Sequence, residues 1–244
     1  MKHAMMLELT DGKLFFVPIG DNPQKIIDLG TGTGIWAIDV ADKYPSVSVL
    51  GVGLSPIQPL WVPSNLKFIV DDIEDDWVHG DDWDFMHTRC ISPWLKNEVE
   101  VLRQAYDHLK PGGWIEIQEL DARANCDDGT LPPDAAISKF FDAAERAVKE
   151  FNMNFRAGEK LREPLEKAGF VNITRKVLKA PIGVWPKCRT AVSDMFGAMA
   201  AKPFRKVMDP AEIEVFLATA RKDLQNPNIH AYEKYYFWTG QKPE

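Results

Sequence analysis

The densest chemistry in the 244-residue chain lies in IIDLGTGTG, from Ile26 to Gly34. Gly30, Gly32 and Gly34 alternate, so the backbone can bend sharply and expose main-chain N–H groups that a Cβ would otherwise shield from a ligand. Asp28 stands two residues ahead of the first glycine, and Thr31 sits inside the turn. The spacing D-x-G-x-G-x-G differs from the dinucleotide pattern G-x-G-x-x-G. A tight turn holding no ligand would use the same glycines, so the elements around the motif have to decide. Beyond it, the acids Asp71 and Asp72, the pair His87 and Arg89, and Glu119 each fall at the end of an apolar run. His87 has a reference pKa near neutrality, which suits either a general base or a hydrogen-bonding support behind the site. No H-E-x-x-H, G-x-S-x-G or P-loop pattern points to hydrolysis or phosphoryl transfer.

These residues need a scaffold that brings strand ends together. Ile26 and Ile27 are β-branched, as in a strand buried on both faces, and Trp36, Ala37, Val40 and Ala41 recur at helical spacing. The motif is therefore strand, turn, helix. Further strands are expected at Val47 to Leu54, Leu66 to Val70, Trp83 to His87, Trp114 to Glu119, Val171 to Val177 and Tyr235 to Thr239, the last two forming an antiparallel edge. Helices are expected at Leu102 to Leu109, Ala135 to Glu150 and Lys160 to Ala168, the last stopped by Gly169, and another starts at Asp209-Pro210. Leu7 to Ile19 reads as an irregular lead-in and Asp121 to Pro133 as a loop, while Pro111-Gly112-Gly113 is a turn.

A hydrophobic content of 45% suits one α/β domain over residues 1–244, with substrate-covering insertions at about 121–160 and 183–232. The formal charge of −7 argues against nucleic acid or an anionic membrane, because phosphate binding draws on clustered Lys and Arg. Cys90, Cys126 and Cys188 are odd in number and far apart, so neither a disulfide framework nor a metal site is indicated. Without a signal-peptide core or a long apolar run, a cytoplasmic or nuclear protein is expected.

Longer stretches carry a specific resemblance. IIDLGTGTGIWAIDVADKYP, GVGLSPIQPLWVPSNLKFIVDDIEDDW, LKPGGWIEIQE, CDDGTLPPD, AGF and the closing TGQKP together resemble the fungal LaeA-like methyltransferases. That family is a branch of the class I S-adenosylmethionine (SAM) dependent methyltransferases and is tied to secondary metabolism. The resemblance implies a Rossmann-like seven-stranded fold with helical insertions, and SAM as cofactor. It implies that the turn from Asp28 through Gly30, Thr31, Gly32 and Gly34 passes beneath the methionine part, with Asp28 helping to hold the ammonium. Asp72 would accept from the adenine amino group and the main chain at Ile73 would meet the ring edge, with Leu54, Asp71 and His87 close by.

One position departs from the family pattern. Where the family runs G-T-D-L-S-P-I-Q-P, this chain has Gly53 in place of the ribose-binding Asp. A charge-assisted hydrogen bond lost there costs on the order of 1.5–3 kcal/mol, or roughly 10- to 150-fold in affinity. The N-terminus is also short, so a lid supplied by a protein partner or a homodimer is one expectation.

Substrate-side candidates are Arg89, Glu119, Trp185, His230 and Tyr232. Glu119 reads equally as a site wall or a salt-bridge partner. Trp185, Met195, Phe196, Met199 and Phe204 fit either an apolar pocket or plain packing. Glu74, Asp75 and Asp76 read as a solvated acidic loop. Methyl transfer from a sulfonium is an in-line displacement that needs mainly positioning, so no obligatory catalytic residue is expected. The sequence thus points to a methyltransferase with a small-molecule acceptor. A different answer is a methyltransferase-fold protein that does not methylate and serves as a regulatory partner or a rearrangement or cyclisation catalyst.

Overall fold

A computed structural model describes every residue except 1, 21, 185–195, 197–201 and 207. Cys188 and the expected pocket residues Trp185, Met195 and Met199 lie outside the described residues. Seven strands form one mixed sheet in the order β3-β2-β1-β4-β5-β7-β6. They are β1 (Lys25–Leu29), β2 (Ser48–Gly53), β3 (Leu66–Val70), β4 (Trp83–Arg89), β5 (Leu109–Asn125), β6 (Val171–Pro181) and β7 (Tyr232–Gln241). β3, β2, β1, β4 and β5 run parallel, and the register sets Asp28 beside His87. Asn172 bonds Gln241, Thr174 bonds Thr239, and Ile182 N donates to Ala231 O, so β6 and β7 run antiparallel as expected.

The chain divides into two compact units. The first, the sheet unit, is Lys13–Glu119, Ala157–Lys176 and Tyr236–Glu244. Its core takes Ile27 and Leu29 from β1, Val52 from β2, Met86 from β4, and Ile115 and Ile117 from β5. Against them pack Val101, Leu102 and Ala105 of α3 (Glu98–His108) and Leu165 and Ala168 of α5 (Arg162–Ala168). α2 (Ile35–Lys43) buries Trp36, Ala37, Val40 and Ala41, the spacing read from the sequence. The irregular segment after Gly12 lies on the sheet: Glu116 accepts from Phe16 N at 2.6 Å and Val17 N at 3.1 Å, and Leu14 O accepts from Trp36 Nε1 and Gln118 Nε2.

The second, the helical unit, is Met1–Gly12, Leu120–Arg156 and Val177–Tyr235. It holds α1 (Lys2–Leu9), α4 (Ala136–Lys149) and α6 (Pro210–Gln225). α6 starts at a complete capping box, with Asp209 accepting from Glu212 N, the Glu212 carboxylate reaching back, and Pro210 in the first turn. α4 has no cap of its own, and Asp223 of α6 accepts from Ile137 N instead. Phe140 is fully buried and meets Phe141, Phe196, Phe204 and Phe216 at ring distances of 4.4–6.4 Å.

Several expected boundaries shift. Leu7 to Leu9 belong to helix α1, and the lead-in is irregular only from Asp11 and Gly12, both at positive φ. α3 begins at Glu98 because Asn97 caps it through Glu100 N, and Leu109 is already strand. The Pro111-Gly112-Gly113 turn is a bulge within β5: Trp83 pairs with Leu109 but Phe85 with Trp114, with Gly112 at φ 73°. β5 then continues to Asn125 through buried Asp121 and Ala122, so the loop expected from Asp121 starts five residues later. α5 starts at Arg162, and a short 3₁₀ turn occupies Ala157–Lys160.

Candidate functional site

The glycine turn leaves β1 as buried backbone and meets solvent only at its tip. Thr31 N donates to Val52 O of β2 at 2.8 Å, and Gly34 N donates back to Thr31 O at 2.9 Å, closing the bend before α2. Gly30, Gly32 and Gly34 all adopt positive φ, between 56° and 79°. A side chain at Gly30 would collide with Ile91 and one at Gly34 with the Phe68 ring. A Cβ on Gly32 would meet nothing within 4 Å. Gly32 is thus the open tip of the cradle, and its neighbours are glycines because packing demands it.

Beneath the turn, Asp28 is engaged with protein groups. One carboxylate oxygen lies 2.7 Å from His87 Nδ1 and the other accepts from Thr31 Oγ1, also at 2.7 Å. The His87 ring stacks on Trp36 with centroids 3.6 Å apart and planes 6° apart, and it is 0% exposed. Burial pushes its pKa below the usual value, opposed by the Asp28 carboxylate, so the ring is neutral with its Nδ1 proton toward Asp28. His87 Nε2 is buried without a hydrogen-bond partner among the described residues. A base must reach the proton it takes, and His87 is sealed under Trp36. His87 is therefore a support for the turn in this structure, and Asp28 acts through that same support.

The cavity beside the turn has a volume of about 450 Å³, within the range of ligand pockets. Gly30, Gly32, Gly53, Leu54, Asp71, Asp72 and Ile73 line it, so seven of the eleven expected cofactor positions converge there. Asp28, Thr31, Gly34 and His87 form the layer behind. Its other walls are Ser55, Ile57, Glu74, Ile91, Trp94, Leu95 and Lys96. The residues after β4 escaped the sequence reading, although that strand's end was its expected ligand side. The signal available was Ile91-Ser92-Pro93-Trp94, an apolar and aromatic run placed just past a buried strand.

The acids at the end of β3 are individually fixed. Asp71 N donates to Gly53 O, Asp71 Oδ1 accepts from Asp72 N, and Asp71 Oδ2 lies 3.1 Å from Nε2 of the buried His79. Asp72 Oδ1 accepts from Glu74 N at 3.0 Å, which curls the loop into the cavity wall. Glu74 corrects the expectation of a merely solvated loop, since its Oε1 accepts from Lys96 N and Asn97 N at 2.7 and 3.1 Å. At Gly53 a Cβ would meet only ordinary contacts, 3.6 Å from Thr31 Cγ2 and 3.8 Å from Gly32 N. The missing acid therefore has room.

The substrate-side expectations separate. Glu119 is 1% exposed and accepts from Ile91 N at 2.9 Å and Ser92 N at 2.8 Å, so it pins the wall rather than facing a substrate. Nearby, burial pushes Glu98 up to about 7; a bond to Ser92 opposes this and the Glu119 charge adds to it. Arg89 ends β4 half-buried, opposite Gln118 of β5. His230 and Tyr232 gather in the helical unit around the loop after β5. Asp128 accepts from His230 Nδ1 at 2.6 Å, from Thr130 Oγ1 at 2.8 Å and from Cys126 Sγ at 3.0 Å, while Tyr232 OH donates to Asp127 at 2.7 Å. A larger groove of about 830 Å³ runs along α4 and α6, between Ala136, Lys139, Val215 and Phe216. None of the described residues expected to do chemistry lines it, so the smaller cavity is the functional candidate.

A mixed seven-stranded sheet in this strand order, with a glycine cradle after β1 and acids after β3, defines the Rossmann-like fold of class I SAM-dependent methyltransferases. The methyltransferase domain family model matches residues 1–175. The methyltransferase pytC of Aspergillus terreus is 34% identical over 100% of this chain and 79% of its own length. The secondary metabolism regulator LAE1 of Cochliobolus heterostrophus is 36% identical, over 99% of this chain and 85% of its own. Among solved structures, the phosphoethanolamine N-methyltransferase 2 of Haemonchus contortus, with S-adenosylhomocysteine, aligns at a TM-score of 0.58. That alignment is 17% identical and spans 100% of this chain and 52% of the other, so it speaks for the fold alone. The chain belongs to the methyltransferase domain family and, within it, to the LaeA-like proteins of fungal secondary metabolism; SAM is its cofactor.

Proposed function

We propose that this chain transfers a methyl group to a small apolar acceptor. The observation that carries this reading is the cavity itself. One side is the open glycine tip with the fixed acids Asp71 and Asp72, and the other is the apolar wall of Leu54, Ile57, Ile91, Trp94 and Leu95. Bound SAM supplies an electrophilic methyl on its sulfonium. The chain's own part is positioning: Gly30 and Gly32 admit the ligand to the backbone, and Asp72 offers a carboxylate oxygen for the adenine amino group. Leu54 and Ile57, 70% and 61% exposed, offer apolar surface at the rim, as does Trp94 at 65%. A flat apolar acceptor covering that surface would exclude water from the reacting centre.

A second reading, a regulator that binds SAM without turnover, has one observation behind it: Gly53 removes the carboxylate expected at the ribose. The test incubates purified chain with SAM labelled in its methyl group, together with a fungal extract split into small-molecule and protein fractions. Label in the organic-extractable fraction is the expected result. Label in protein alone would overturn the small-molecule acceptor, and binding of SAM with no transfer to either fraction would favour the regulator. A cytosolic or nuclear location is part of the proposal, and a fluorescent fusion would check it.

A further inference from the structure

With Gly53 at the end of β2, a ribose in this cavity meets no carboxylate from that strand. We infer that Gln58 reads the ribose hydroxyls in its place, an inference that rests on the cofactor reading above. The Gln58 Nε2 donates to Gly32 O at 2.6 Å and to Ser55 O at 3.0 Å. Gly32 and Ser55 line the cavity, so this amide, which is not itself part of the lining, is anchored to two residues that are. Both of its protons are engaged, which fixes the amide's orientation and leaves Oε1 as its acceptor. Pro56 and Pro59 flank Ile57 and Gln58, and their fixed φ stiffens the loop that presents the side chain.

The two acids at the end of β3 each have one oxygen committed to a backbone N–H. Asp71 Oδ1 accepts from Asp72 N while its Oδ2 faces His79 Nε2 at 3.1 Å, and Asp72 Oδ1 accepts from Glu74 N. A Cβ at Gly53 would make only ordinary contacts, so the glycine leaves open space at the end of β2. An amide oxygen is a neutral acceptor. A hydroxyl bonded to it gains roughly 2- to 10-fold in affinity, where a carboxylate would give roughly 10- to 150-fold. Ribose recognition in this chain is therefore present but weak.

Calorimetric titration tests this with S-adenosylhomocysteine and its 2′,3′-dideoxy analogue against the wild-type chain, Gln58→Leu and Asp71→Asn. The wild type is expected to prefer the hydroxylated ligand by roughly 2- to 10-fold. Gln58→Leu should erase that preference, read as the ratio of the two affinities so that any loosening of the Gly32 tip cancels, with a thermal melt reporting the fold; Asp71→Asn should keep it. Equal weakening of both ligands by Gln58→Leu would reduce the side chain to a brace for its loop and overturn the inference. So would loss of the preference in Asp71→Asn alone, or its absence from the wild type. A folded wild type that binds neither ligand would fell the cofactor reading itself, and this inference with it.

Discussion

The two units bury different kinds of interaction. In the sheet unit the interior around the site is directional: Asp28 with His87 and Thr31, Glu119 with Ile91 and Ser92, Glu116 with Phe16 and Val17. Each of these bonds fixes one backbone segment at one distance. In the helical unit the interior around α4 is a phenylalanine cluster on an alanine-rich helix face, held by packing. Dispersion and apolar burial fill a volume without choosing an atom-to-atom geometry, whereas a buried hydrogen bond does choose one. The catalytic demand of this family is positioning, and the directional bonds lie where positioning is needed.

Two substitutions of similar cost should separate the two kinds of core. Phe140→Ala removes the centre of the phenylalanine cluster and should cost about 3–5 kcal/mol of stability by chemical denaturation. Asp28→Ala strands two buried donors, the His87 ring and the Thr31 hydroxyl, at about 1–3 kcal/mol each. The sharper contrast is in ligand binding at a temperature where both variants are folded. Asp28→Ala should lose S-adenosylhomocysteine affinity, because the glycine turn is no longer pinned, whereas Phe140→Ala should keep it. Equal retention by both variants would break the comparison.

The same contrast explains what could be read from the sequence. Alternation of glycines, the β-branched run before them and the apolar spacing after them exposed β1, the turn and α2, because those patterns are local consequences of backbone geometry. The cavity's first wall came from the resemblance carried by the stretch from Gly51 to Trp77, with apolar runs marking only where β2 and β3 lie. The second wall, from Ile91 to Lys96, did not follow. It is set by Glu119 and Glu74, which accept backbone bonds 22 to 28 residues away in the chain, and no periodicity reports such bonds. For a related reason the sequence left His87 open between a base and a hydrogen-bonding support: its type and strand position were visible, but the Trp36 ring stacked over it was not. Likewise β5 runs on to Asn125 beside β7 in the sheet, a neighbour that no local pattern reports.

A smaller effect tests the buried electrostatics of the helical unit. Glu233 is fully buried there, and burial pushes its pKa from 4.5 up to about 8, with Lys2 opposing and Asp121 adding to the rise. The folded chain holds this proton more tightly than the unfolded chain. Stability is therefore greatest below about pH 4.5 from this group, falls as pH rises toward 8, and levels off above it. Glu233→Gln should flatten that fall, by on the order of a few kcal/mol between pH 5 and 8. A wild-type and variant pair whose melting temperatures track each other across that range would show Glu233 to be electrostatically silent.

The smallest expected change concerns the place where the sheet unit lacks a directional bond. Gly53→Asp fits the structure: the position has no positive φ, and its Cβ would sit 3.6 Å from Thr31 Cγ2 and 3.7 Å from Thr31 N. A carboxylate there can accept from the ribose hydroxyls, worth about 1.5–3 kcal/mol, and SAM affinity should rise roughly 10- to 150-fold. Part of that gain is offset by repulsion from Asp71, whose backbone N–H bonds Gly53 O, so the lower end of the range is expected, and it should grow as salt is added. Turnover decides what the gain means. If the variant methylates faster only at SAM concentrations below saturation, the added acid improves binding alike in the ground and transition states, and the site was already built for transfer. Faster transfer at saturating SAM would mean that the ribose contact also sets the orientation of the methyl group, a directional role that Gln58 in the native chain fills only in part.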